Sequence, residues 1–147
     1  MTSIIRYVGA GVVLVAVGCS GVPTVTRTGQ VRDVLIREKL LPADISVNPG
    51  DEIRWINQRT EPARIIFLDP ISGKVSCQTK FGGVMGVNNE TTLSPDETAS
   101  LCFTEPGSIR YAVRMPSAQP GGEINAPGSI RVQAGSASSH ASSKEAP

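Results

Sequence analysis

Three cysteines, three methionines and one histidine are the side chains of this 147-residue chain best suited to soft-metal or nucleophile chemistry. Cys77 and Cys102 stand singly in the interior of the sequence, Cys19 ends an apolar run, and His140 lies in a Ser/Ala-rich tail. A Ser-His-Asp or Cys-His arrangement needs a histidine fixed by the fold. A histidine in such a tail does not supply one, so the chain is read as a non-enzyme. The carboxylate pairs Asp51-Glu52 and Asp96-Glu97 accompany turn signals and are expected to be solvated turn charges. Gly82-Gly83-Val84-Met85-Gly86 looks like a phosphate loop only superficially: no Lys-Ser/Thr follows and it opens no helix, so a flexible loop is expected.

The compartment decides what the cysteines can do. Arg6 precedes an apolar run of ten residues, 8–17, far short of the roughly 20 that a spanning helix needs. The run ends in Ala16-Val17-Gly18-Cys19, which resembles the bacterial lipobox, with Ala16 where leucine is usual. That predicts a signal peptide over 1–18 and a diacylglycerol-modified Cys19. The other reading is an ordinary secretory signal with Cys19 incidental. Each buried lipid CH₂ is worth about 0.8 kcal/mol, and several chains together anchor firmly. Ser20 rather than aspartate follows the cysteine, which points to the periplasmic face of the outer membrane. Behind such a signal the Asn89-Glu90-Thr91 triplet carries no weight as a glycosylation site.

Beyond an export signal, in an oxidising compartment, Cys77 and Cys102 make an even pair and are expected to form a disulfide. Closing that loop is worth about 3.5 kcal/mol by chain entropy. Cys102 alternates with Leu101 and Phe103 and is therefore expected to point off the main core. The rival reading is two thiols holding a soft metal such as Cu(I), with Met85 as third ligand.

The elements that position these residues are short strands. Val47-Asn48-Pro49-Gly50-Asp51 is a tight-turn signal, because proline presets φ and glycine takes positive φ without strain. On either side Ile45 and Val47, then Ile53 and Trp55, alternate with polar residues at the period of a half-buried strand. An antiparallel hairpin with the single tryptophan in the core is expected. Residues 31–36 read as a first strand, and 37–42 as a helical turn or loop ended by Pro42. Further strands are expected at 64–68, 99–103, 109–113 and 129–132, with a Pro/Gly loop at 116–127. Residues 69–92 have weak alternation. Residues 19–30 read as a lipid-anchored tether reaching at most roughly 35 Å; 31–133 as one domain; and 134–147 as a disordered tail. Frequent turns with almost no helix argue for an all-β fold, an antiparallel Greek-key β-sandwich. Arg6 is the only charge ahead of Cys19, so 13 basic and 13 acidic side chains remain beyond it. That neutrality excludes a nucleic-acid partner of the usual basic kind and a polybasic lipid-binding patch.

Three pieces, in order, resemble the cupredoxins, the copper proteins related to plastocyanin and azurin. They are Ile45-x-Val47-x-x-Gly50-Asp51-x-Ile53-x-Trp55-x-Asn57; then Leu93-x-Pro95-x-Glu97-x-x-x-x-Phe103-x-x-Pro106-Gly107-x-Ile109-x-Tyr111; then Gly128-Ser129-Ile130-x-Val132. The resemblance spans about 31–132 and implies a cupredoxin-like sandwich. A blue-copper site uses two histidines, a cysteine and a weak axial methionine. The matching positions here are Ala63, Val113, Pro116 and Ala126, none with a donor atom on its side chain. Met115 is close to the methionine position without occupying it, and is expected to be a core or rim residue.

The resemblance therefore implies a domain without cofactor. The expected role is a binding or scaffold module, lipid-anchored in the bacterial envelope, for another envelope or respiratory-complex protein. The alternative is a copper-binding or electron-transfer protein using Cys77, Cys102 and methionine sulfur.

Overall fold

The computed structural model describes residues 28–134. Among them are twelve strands and no helix: β1 (Val31–Ile36), β2 (Leu40–Leu41), β3 (Asp44–Val47), β4 (Glu52–Asn57), β5 (Ala63–Phe67), β6 (Val75–Thr79), β7 (Gly82–Gly83), β8 (Gly86–Val87), β9 (Glu90–Leu93), β10 (Thr98–Phe103), β11 (Gly107–Pro116) and β12 (Glu123–Val132). One sheet has the order β2-β1-β4-β10-β6 and the other β3-β12-β11-β5-β9, with β7-β8 as a separate two-stranded ribbon. The two five-stranded sheets enclose one apolar core, so the expected β-sandwich is present.

Alternation supplies that core. Ile53 and Trp55 of β4 point inward from one sheet, and Ile65 and Phe67 of β5 from the other. Trp55 is fully buried, with the rings of Phe67, Phe81 and Tyr111 edge-on to it at 5.8, 5.8 and 5.7 Å. Such pairs add about 0.5–1.5 kcal/mol each beyond their burial. Gly128 lies directly opposite Tyr111, and a Cβ there would come within 2.7 Å of the phenol oxygen. The glycine is what lets that ring lie flat over β12. Burial pushes the Tyr111 phenol up to about 12, and its hydroxyl donates to Ala43 O at 3.5 Å.

Several expectations need correction. Pro49-Gly50 does not close a hairpin: β3 runs parallel to β12 in one sheet, and β4 runs parallel to β1 in the other. A period of two fixes which side chains turn inward, but not whether two neighbouring strands share a sheet. Here the apolar rows of β3 and β4 belong to opposite walls of the core, and the turn is a corner between sheets. Asp51 is not a solvated turn charge but is buried, accepting from Asn48 N at 2.9 Å and from Thr28 Oγ1 at 2.5 Å. Thr28, in the expected tether, thereby fastens to the domain. Leu40–Leu41 is a strand beside β1 rather than a helical turn, with Leu40 buried. The expected 116–127 loop shrinks to 117–122, because β12 starts at Glu123. Pro127 is tolerated within β12 because β3 joins its other edge only from Ser129 onward.

Candidate functional site

The four positions at which the resemblance would place copper ligands fall at one end of the β3-β12-β11-β5-β9 sheet. Ala63 opens β5 opposite Leu93. Val113 lies between Ile65 and Ala126 in the register, and Pro116 ends β11 opposite Glu123. Ala63 and Val113 are fully buried, Ala126 half-buried and Pro116 exposed. Met115, next to them, is a buried core residue, as expected.

Two side chains lock this end, and sequence reasoning missed both roles. Asn57, fully buried at the end of β4, donates its amide to Glu61 O, Leu93 O and Ser94 O at 2.9, 3.0 and 3.1 Å. Its Oδ1 accepts from Arg59 N at 3.1 Å. It thus ties the 58–62 loop to the turn between β9 and β10. Arg59 is the second lock: only 9% of its side chain is exposed. Its Nη2 donates to Pro116 O at 2.7 Å, and its Nη1 to Arg37 O at 3.3 Å and Glu38 Oε1 at 3.2 Å. Its charge is met by Glu38 and by Glu61 Oε2 at 3.8 Å. None of the four positions carries a thiolate, an imidazole or a thioether.

The cysteines are elsewhere. Cys77 and Cys102 are joined in a disulfide, directly opposite each other on β6 and β10 of the other sheet, with Cα atoms 5.0 Å apart. Cys102 is absent from the main apolar cluster, as its alternation implies, yet is fully buried. As a disulfide the pair offers no thiolate to a metal. Among the described residues there is no group of three or more His, Cys, Asp or Glu that could hold a metal ion. Cys19 and His140 lie outside the described residues, as do the expected signal peptide and most of the tail.

The glycine-rich stretch expected as a flexible loop carries a short two-stranded ribbon whose base is anchored. Phe81 is fully buried, its ring 5.8 Å from Trp55 and 5.6 Å from Phe67. Asn88 N donates to Phe81 O at 2.8 Å, and Thr91 Oγ1 to Lys80 O at 2.7 Å. Between these anchors β7 and β8 pair antiparallel and turn at Val84-Met85. Both side chains of the turn are as exposed as in an extended chain, at 106% and 101%. The signal that could have found this is Phe81, an aromatic beside a Gly-Gly, which must be buried somewhere and so pins the loop's base.

No protein-family model matches this sequence. Among solved structures, the chain is similar to amicyanin from Paracoccus versutus, at 19% identity and TM-score 0.43 over 74% of this chain and 85% of that one. A mutant of amicyanin in a Cu(I) form aligns at 20% identity and TM-score 0.47, over 70% and 82% of the two chains. A reduced mutant of amicyanin aligns at 20% identity and TM-score 0.48, over 76% and 95%.

Proposed function

We propose that this chain is a lipid-anchored envelope protein whose cupredoxin-like domain carries no copper and serves as a binding or scaffold module for another envelope or respiratory-complex protein. The observation that carries the reading is one contrast. The end where the resemblance would place a metal is closed by Asn57 and Arg59, while an apolar finger, pinned at its base by Phe81, stands out in solvent. An exposed Val-Met pair on a ribbon anchored at its base suits a partner's apolar pocket. Loops on a rigid sandwich are good recognition surfaces. Cys19 and Ser20 support attachment to the periplasmic face of the outer membrane.

The test is capture from detergent-solubilised membranes by the protein with Cys19 intact, beside a variant with Val84→Asp and Met85→Asp. A partner retained by the wild type and lost from the finger variant is the expected result. An identical set of captured proteins from both would refute the finger as the docking element. Fed radiolabelled palmitate should enter the wild type and not Cys19→Ala; labelling of the variant would refute the anchor.

A further inference from the structure

Alternation around two of the four positions turns small residues inward and arginines outward. Ala63 and Val113 face the core, and the residues that follow them, Arg64 and Arg114, stand on the outer face of the same sheet. The register sets Arg114 directly opposite Arg64 across β5 and β11. Like charges directly opposite on a sheet destabilise it, so the pair is not explained by folding alone.

Each arginine has a carboxylate beside it, but only one of the two is hydrogen-bonded. Arg64 Nη2 donates to Glu90 Oε2 at 2.6 Å, on the side away from Arg114. Arg114 Nε lies 3.7 Å from Glu123 Oε1, an ion pair without a hydrogen bond. Among the described residues the Arg114 guanidinium makes no hydrogen bond, although its side chain is only 52% exposed. Arg64 and Arg114 both line a cleft of about 300 Å³. Its other walls are Met115 and Pro116, then the Gly121-Gly122 turn and Glu123. That turn is held tight by Ser117 N donating to Gly122 O and Gly122 N to Gln119 O, both at 2.9 Å, and puts no side chain of its own over the mouth.

We infer that the cleft between Arg64 and Arg114 binds a carboxylate carried on a short apolar stem. The planar guanidinium fork matches a carboxylate's two oxygens. The stem lies against Pro116, which is exposed at the end of β11. Glu90 and Glu123 already offset the two guanidinium charges, so what is left to be met is the unused N–H donors of Arg114, and a monoanion meets them with the least added charge. A phosphate dianion would face Glu123 across the cleft at a cost. The carboxylate comes either from a free small acid or from the C-terminus of a polypeptide. The site deepens the binding-module reading and rests on it for its biological use.

The experiment follows the arginine Nε–Hε NMR signals of the full chain at constant ionic strength. Sodium isobutyrate is titrated first, then sodium phosphate. Two N-terminally capped apolar tetrapeptides follow, alike except that one ends in a carboxylate and the other in a carboxamide. Isobutyrate and the carboxylate peptide are expected to shift Arg64 and Arg114 with saturation, and the carboxamide to leave them unmoved. Arg64→Gln and Arg114→Gln should each weaken binding by about tenfold or more, because hydrogen bonds to charged groups are the strong ones. Arg131→Gln, on the same strand system but outside the cleft, should leave affinity unchanged. A carboxylate peptide that binds about tenfold more tightly than isobutyrate assigns the site to a chain terminus; equal affinities assign it to a free acid. Shifts that do not saturate, a phosphate response as strong as the isobutyrate one, or an equal loss in Arg131→Gln would overturn the site. Failure of the envelope-partner reading appears instead in the membrane capture, and a saturable carboxylate site stands without it.

Discussion

Replacing Asn57 tests how the closed end of the sandwich is held. The side chain is fully buried and sits within 3.1 Å of three carbonyl oxygens and one backbone N–H. Its two amide hydrogens are shared among those three carbonyls, so Asn57→Ala removes two donors and one acceptor. A net hydrogen bond contributes about 0.5–1.5 kcal/mol, and a buried group left without a partner costs about 1–3 kcal/mol. A loss of about 3 kcal/mol is therefore expected, a large share of the 5–15 kcal/mol that usually separates native from unfolded chains. In urea, with a slope near 1.5 kcal/mol per M, the midpoint should fall by about 2 M at unchanged slope. Asn57→Asp sharpens the test. The introduced carboxyl is buried against carbonyl oxygens, so its folded-state value lies above the unfolded one, near 3.9. A raised value means that stability is kept below about pH 4 and lost as pH rises through the folded-state value. The deficit against wild type should grow with pH. A deficit under about 1 kcal/mol for the alanine variant, or one for the aspartate variant that does not change with pH, would refute the lock.

Three other outcomes are expected. The native protein should take up iodoacetamide at Cys77 and Cys102 only after reduction, read by intact mass, and Cys102→Ala should lower stability by about 2–5 kcal/mol. Hydrogen bonds from Arg110 hold the Asp69 carboxyl down at about 2. A depressed value contributes stability above the unfolded value near 3.9 that is lost as pH falls towards 2. Asp69→Asn should therefore flatten the acid limb of melting temperature against pH, and parallel limbs would contradict it. With Cu(II) added and the excess removed, the full chain should stay colourless near 600 nm (about where thiolate-to-copper absorption lies), and its melting temperature should not rise, since a ligand of the native state must raise it; a blue stoichiometric centre would overturn the copper-free reading.

What was legible in the sequence is what alternation records. Ile53, Trp55, Ile65, Phe67, Leu101 and Phe103 all turn into the core as their spacing requires. The cysteine pair was legible from parity and the expected export signal. The choice of sheet was not, because one alternating pattern satisfies either wall of a sandwich. That is why residues 45–57 read as a hairpin although β3 and β4 belong to different sheets. Asn57 and Arg59 were invisible as locks for another reason: their partners are mostly backbone groups, which every residue carries and no side-chain pattern marks. Asp51 read as a solvated turn charge because nothing in its own segment shows that Thr28, 23 positions earlier, returns to cover it.

The side chains at Ala63 and Val113 and the closing of that end depend on each other. Both are fully buried, in strands that pair directly through Val113 and Ile65. An imidazole at Ala63 would add volume to a fully buried position opposite Leu93, itself fully buried. Overpacking of a filled core costs about 1–3 kcal/mol. Ala63→His would therefore cost stability. Val113→Cys is milder in volume, but its thiol would face Ile65 and Ala126 rather than a second donor. The same inward closure turns Arg64 and Arg114 out to the surface, because on a strand the neighbour of an inward residue points the other way. The small inward residues Ala63 and Val113 and the outward guanidiniums of Arg64 and Arg114 are thus two faces of one register.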